Sequence, residues 1–357
     1  MPLSPPARRA APAFPAVSRR VALAVLAAGA LPVSVQVLAQ TSSFPQHAIT
    51  LLVPFGPGGI ADLTARAVAQ AMAPLLGQAM VVDNRPSAGS IVASQAVASA
   101  APDGHTLLLM SNGHAVAPSL FRKLPFDAQK DFAPICLLAR FDLALFVAAG
   151  SRFKTLAQLL DFARAQPDKL TLGSVAVGST QHLAAEWFKQ LAGIDALVVP
   201  YKGTPAVLGA LRGGEIDAAF EILGPWLAQL GTAGSGVGRV GNAGNVGVLR
   251  ALAVSSAQRF ADLPEVPTLI EAGGPALQRF ELRSWNALAA PARTPPEVLV
   301  RLNAAANQAL AQPALQRQWR ALGVRPQGGT PDQLRQWLAA ETRHWAEVVR
   351  AAHIEAS

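Results

Sequence analysis

The chain has 357 residues and a mass of 37.1 kDa, of which 51% are hydrophobic and 15% charged. That suits two domains of ordinary size with a large core and excludes a disordered or fibrous chain. The formal charge of +8 is concentrated at the start, where Arg8, Arg9, Arg19 and Arg20 precede residue 40 and no acid does, so nucleic-acid binding, which needs a basic stripe, is not expected. The single cysteine, Cys136, excludes a disulfide scaffold and a zinc site built on several thiolates.

The first element in chain order is an export signal. Residues 1–20 are Pro/Ala-rich with four arginines, Val21–Leu31 is apolar, and Val37-Leu38-Ala39 precedes Gln40. This is an n-region, an h-region and a small residue at a cleavage point, so residues 1–39 read as a signal peptide cut after Ala39. Ser18-Arg19-Arg20 followed by Leu23 loosely resembles a twin-arginine signal, which leaves the export route open. The competing reading is an uncleaved anchor over Val21–Ala39, weakened by Pro32, Ser34 and Gln36. No cysteine marks a lipoprotein, and Arg140 and Asp142 interrupt the longest later apolar candidate. The expected location is periplasmic, as a monomer.

Strand-like runs then alternate with helical patterns. Ile49–Pro54 is apolar and ends in Phe55-Gly56-Pro57-Gly58-Gly59, with a helix from near Asp62 to Leu76. Strands are predicted at Met80–Val82, Thr106–Met110, Ile135–Leu138, Leu143–Ala148, Leu170–Val175, Leu197–Val199, Ile216–Phe220, Val248–Val254 and Trp285–Ala290. Helices are predicted at Ser90–Ala100, Leu156–Ala165, Gln181–Leu191, Ala206–Arg212, Glu297–Ala311 and Pro331–Ala352. The alternation argues for parallel α/β sheets. Gly231–Gly247 holds seven glycines and reads as a surface loop.

Three loops carry the chemistry, and each follows a strand, where ligands sit in open α/β sheets. In Pro54–Asp62, glycines lead into a helix whose first N–H groups are unpaired and partly positive. That arrangement binds an anion, or it is a turn that needs glycine for its geometry. Gly173–His182 repeats the pattern. Ser179 or Thr180 is an N-cap, or their hydroxyls hold a carboxylate. Ser111–His114 is the third loop, and its lone histidine is structural or a ligand contact. Asp62 and Glu221 are the acidic candidates beside these loops, while Asp103, Asp127 and Asp131 read as turn formers. The chain has no G-x-S-x-G elbow, no H-E-x-x-H and no metal-ligand spacing among its six histidines. Cys136, in an apolar run, reads as an inert buried thiol.

An ordered set of segments carries a family resemblance: ITLLVPFGPGGIADLTAR (49–66), VVDNRPSAGS (81–90), AAPDGHTLLL (100–109), KLPFDAQKDFAPI (123–135), GSTQHLAAEWFK (178–189), VPYKGTPAVL (199–208), LPEVPTLIEAG (263–273) and SWNALAAPARTP (284–295). Together they resemble the Bug-type (TctC-like) solute-binding proteins, the extracytoplasmic receptors of tripartite tricarboxylate transporters. The resemblance implies an α/β type II periplasmic binding protein fold, with two α/β domains joined by two crossing segments and a ligand cleft between them. It places domain 1 at residues 44–142 plus 286–357 and domain 2 at 143–285. It implies binding of a small carboxylate (a di- or tricarboxylate, an acidic amino acid or an aromatic acid) by domain closure, and delivery to membrane transporter subunits. No catalysis, cofactor or metal is implied.

The family's binding loop maps onto Phe55, Gly56, Gly58 and Gly59, with Asp62 at the helix start. Gly178, Ser179, Thr180 and His182 face it, Ser111 and His114 match a further family loop, and Glu221 stands where the family often has Asp. Departures from the family pattern are Ala117 for the usual Asn, Ile222 after the acid, Asn286 after Trp285, and the Gly-rich insertion. The alternatives are an exported sensor serving a regulatory partner, and an exported enzyme using Asp62, His114 or His182 as acid or base.

Overall fold

A strand, Ile49–Val53 (β1), runs into the glycine turn and then into helix Ile60–Leu76 (α1). Met80–Asn84 (β2), Ile91–Ala98 (α2), Thr106–Ser111 (β3) and Asn112–Leu120 (α3) follow. The computed structural model describes residues 44–230, 247–351 and 354. The expected signal peptide and the Gly-rich loop, apart from Gly247, lie outside the described residues.

The longest strand is Phe132–Ala148 (β4), 17 residues. Leu156–Ala165 (α4), Leu170–Val175 (β5), Thr180–Ala192 (α5), Ala196–Tyr201 (β6), Thr204–Gly213 (α6) and Ala218–Ile222 (β7) come next. The chain continues through Leu249–Val254 (β8), Arg283–Pro291 (β9), Pro296–Ala311 (α7), Pro313–Ala321 (α8), Val324–Pro326 (β10) and Pro331–Ala351 (α9).

The strands form one sheet in the order β2-β1-β3-β9-β4-β7-β5-β6, with β8 and β10 also paired to β4. It is mixed, which corrects the expectation of parallel sheets. Parallel pairs occupy both flanks (β1 with β2 and β3; β5 with β6 and β7), and the centre is antiparallel, where β4 meets β7, β8, β9 and β10. The cause is β4 itself. Its first part, Phe132–Asp142, pairs with β9, and its second part, Leu143–Ala148, pairs with β7 and β8. One strand thus belongs to both halves of the sheet.

The two short runs predicted here are therefore one strand. The Arg140 and Asp142 interruption is absorbed by tertiary partners. The Arg140 guanidinium lies 3.8 Å from the Trp337 ring centre. Asp142, buried, pairs with Arg325 at 3.0 Å and Arg283 at 3.5 Å. Burial still pushes its carboxyl above the usual range, against the pull of both arginines. Beside it, Trp285 of β9 donates to Glu341 of α9 at 2.7 Å, tying the last helix to the centre of the sheet.

Helices cover the sheet, and the core holds the fully buried Trp226, Trp285, Trp319 and Trp345 with Phe146, Phe188, Phe220 and Phe280. Cys136 is buried, and burial pushes its thiol up to about 12. Two helices and a strand, α3, α8 and β10, were not predicted. Gly113 and Pro118 disguise α3, in which Pro118 supplies no N–H to the preceding turn. Among the described residues no helix is long and apolar enough to cross a membrane.

Candidate functional site

Four chain segments at the carboxyl ends of strands enclose a cavity of about 550 Å³, part of it open to solvent. After β1 come Phe55, Gly56 and Gly59, with Ile60 and Ala61 opening α1. Ser111 ends β3, Thr180 and Gln181 open α5, Lys202 and Gly203 lie between β6 and α6, and Thr204 opens α6. Phe141, Ile222, Ser284 and Asn286 from the central strands complete the lining. Apolar side chains make up much of the wall.

The helix starts differ in how they are capped. At α1 the N-cap is Gly59, with no side-chain cap, so the first-turn N–H groups at Ile60 and Ala61 have neither an intrahelical nor a side-chain partner. At α3 the cap is Ser111, whose side chain makes no capping bond. Its buried Oγ lines the cavity and has no hydrogen-bond partner. At α5, Ser179 caps its own helix: Oγ accepts from His182 N–H at 3.1 Å and donates to the Val175 carbonyl at 3.0 Å. Three helix starts without a side-chain cap, those of α1, α3 and α6 (N-cap Gly203), therefore face the cavity, and a fourth, α5, is closed by its own serine.

Of the residues singled out from sequence, Phe55, Gly56, Gly59, Ser111 and Thr180 line the cavity, and Gly58, Asp62, His114, Gly178, Ser179, His182 and Glu221 do not. Asp62 folds back, accepting from Gly58 N–H at 3.0 Å and pairing with Arg66 at 2.9 Å. Burial raises its carboxyl, but hydrogen bonds from Arg66, Gly58 and Asn84 outweigh this and hold it below the usual range. His114 is fully buried between Phe126 and Phe132. Its Nε2 donates to the Ala128 carbonyl at 2.8 Å, so Nδ1 accepts from the Ser94 hydroxyl at 3.2 Å. Burial pushes this neutral imidazole down to about 4. His182 Nδ1 is buried without a hydrogen-bond partner, and burial lowers its pKa too.

Glu221 lies inside β7 rather than after it, and it is fully buried. Its carboxylate accepts from Thr204 Oγ1 at 2.8 Å, Gln181 Nε2 at 3.2 Å and Ile222 N–H at 2.8 Å. Burial outweighs these bonds and pushes it up to about 7. It thus stands one residue behind the wall, holding two lining side chains.

Sequence reasoning missed Gln181, Lys202, Thr204, Ser284 and Asn286. A signal existed for Thr204: strand, glycine, hydroxyl, helix is the pattern already noted at Ser179. Asn286 was visible only as a departure from the family pattern.

The facing loops touch. A β-carbon on Gly56 would lie 3.0 Å from the Lys202 carbonyl oxygen, and one on Gly59 would lie 3.3 Å from Thr204 Oγ1. Gly89 N–H donates to the Val177 carbonyl at 2.9 Å, and Gly178, at φ +84, packs against Gly89.

Elsewhere His47, Asp103 and His105 converge, with ligand-capable atoms within 4.8 Å, although their spacing gave no metal signal. Gln46 N–H donates to His105 Nε2 at 3.1 Å, and Nδ1 lies 3.2 Å from Asp103. The Nε2 lone pair is thus taken by a backbone N–H and is not open to a metal.

Residues 64–354 match the family described as the tripartite tricarboxylate transporter family receptor, TctC. The chain belongs to this family of solute-binding receptors. It is similar to the periplasmic binding protein BugD, with a TM-score of 0.80 and 28% identity over 88% of this chain and 100% of that one. It is similar to an R. palustris protein solved with adipate, with a TM-score of 0.79 and 32% identity over 88% of this chain and 100% of that one. It is also similar to MatC from Rhodopseudomonas palustris with bound malate, with a TM-score of 0.76 and 31% identity over 86% of this chain and 100% of that one. The periplasmic-binding-protein fold class expected from sequence holds.

Proposed function

We propose that the protein is a periplasmic receptor that captures a small carboxylate by closure of two lobes and delivers it to the membrane subunits of a tripartite transporter. The observation that carries this reading is the cavity wall, where the unsatisfied N–H groups of α1 and the unpartnered Ser111 hydroxyl meet the facing Lys202–Thr204 loop. Such N–H groups favour an anion without a buried counter-charge. The adipate and malate held by similar structures support the ligand class. The lobes are residues 44–142 plus 286–357 and residues 143–285, hinged where β4 passes between the halves of the sheet and where the chain enters β9. A carboxylate docks on the α1 start, and closure brings Thr204 and Thr180 onto it and expels water. The receptor acts as a monomer, without catalysis.

The test is a thermal-shift panel of dicarboxylates, tricarboxylates, acidic amino acids and aromatic acids on refolded protein, followed by scattering with the best ligand. Stabilisation of several degrees by one acid and a smaller radius of gyration support the reading. A folded protein that no acid stabilises refutes the carboxylate assignment, and an unchanged radius with tight ligand refutes closure.

A further inference from the structure

Hydrogen-bond directions behind the cavity wall restrict what its lining offers a ligand. With Glu221 ionised, Thr204 donates its one hydroxyl proton to it at 2.8 Å, so toward the cavity its oxygen has lone pairs only. The Gln181 amide nitrogen is drawn to the same carboxylate at 3.2 Å, which turns its carbonyl the other way. A second relay has the same sense. Thr64 donates to the Ile60 carbonyl at 2.7 Å, so its oxygen must accept from Asn286 Nδ2 at 2.8 Å. That fixes the Asn286 amide with its nitrogen toward Thr64 and its carbonyl away from it. Three lining side chains thus have a donor held by a partner outside the lining, and the α1 start presents N–H groups. The cavity has a donor side for a carboxylate and an acceptor group around Thr204.

We propose that the ligand carries, besides its carboxylate, a hydrogen-bond donor, a hydroxyl or an ammonium, that meets Thr204, and that Glu221 is the positioning residue imposing this requirement. This rests on the carboxylate-receptor reading above. An acid without such a donor leaves the Thr204 oxygen dry and unpaired in the closed cavity, which weakens binding. Glu221→Gln inverts the arrangement. Ile222 N–H and Gln181 hold the new carbonyl in place, so the new NH₂ points at Thr204. Thr204 then accepts, and its proton turns toward the cavity.

The test is titration calorimetry in buffer alkaline enough to ionise Glu221, on the purified full chain, unfolded and refolded to strip carried ligand, with succinate, malate, aspartate and adipate as probes. Malate or aspartate is expected to bind about tenfold or more tighter than succinate. That preference is expected to collapse in Glu221→Gln and in Thr204→Val, the second variant covering a failure of the first to fold. Malate against aspartate separates the hydroxyl from the ammonium. Equal binding of succinate and the donor-bearing acids by the parent, or a preference that survives both substitutions, overturns the requirement and leaves the receptor reading standing. If the folded parent binds neither these four acids nor any acid of the panel above, the carboxylate reading falls and the requirement with it.

Discussion

Two buried groups, Glu221 and His114, make opposite contributions to stability as pH changes. Burial raises the Glu221 carboxyl from its ordinary 4.5 to about 7. The folded state then holds this proton more tightly than the unfolded chain. Its stabilising contribution is complete below pH 4.5 and is lost as pH rises through 7. Burial lowers His114 from 6.5 to about 4. Its contribution is complete above pH 6.5 and is lost as pH falls through 4. Each displacement corresponds to about 3 kcal/mol. Between the two ordinary values the slopes are nearly equal and opposite, so this pair leaves the parent almost level there. Glu221→Gln removes one slope and exposes the other, about 1 kcal/mol per pH unit. Urea unfolding of parent and variant, followed by tryptophan fluorescence, reads this directly. The stability of the variant relative to the parent should rise by about 3 kcal/mol between roughly pH 4.5 and pH 7.5. Contributions from other groups cancel in that difference. A difference that stays constant over the range would refute the reasoning, whatever its size.

Gly56→Ala strains no backbone dihedral but places a β-carbon 3.0 Å from the Lys202 carbonyl. Ligand affinity should fall about tenfold while ligand-free stability changes little, because the clash exists only with the loops together; equal losses in both would count against closure. Asp142→Asn leaves Arg283 and Arg325 without their buried partner and should cost about 1–2 kcal/mol in urea unfolding, below the fully buried range because both arginines reach solvent. Cys136, with its thiol pushed up to about 12, should resist a thiol reagent in native buffer and react only on unfolding; rapid labelling of folded protein would contradict its burial.

How far the sequence foretells the structure depends on how local each cause is. β1, its glycine turn and α1 are legible because apolar run, glycine pair and helical pattern lie within one continuous stretch. β4 is not, because Arg140 and Asp142 end an apolar run when read along the chain. Only Trp337, Arg283 and Arg325, all more than a hundred residues away, let them sit inside a strand. His114 misleads for the same reason. Next to a strand end it looks like a ligand contact, yet Ala128 and Ser94 use both ring nitrogens and two phenylalanines enclose it. Glu221 was singled out as a ligand contact, and its buried place one layer behind the cavity follows from β7 starting at Ala218 rather than Ile216.

The layering suits a receptor that must also release its ligand. A formal charge on the wall would bind an anion strongly but would need its own counter-ion when the cavity empties. Here the buried charges are held elsewhere: Asp62 by Arg66, Asp142 by two arginines, and Glu221 by Thr204 and Gln181. Apart from the exposed Lys202, the polar groups facing the cavity are backbone N–H, hydroxyl and amide, groups that water can satisfy in the open form. The facing loops approach through glycines, so β-carbons do not hold them apart. In the proposed cycle, affinity then depends on excluding water at closure, and reopening rehydrates the same groups without leaving an unpaired ion behind. Replacing Gly59 by Asp would test this: a carboxylate at the α1 cap should occupy the N–H groups itself and abolish binding of every acid while leaving the helix better capped.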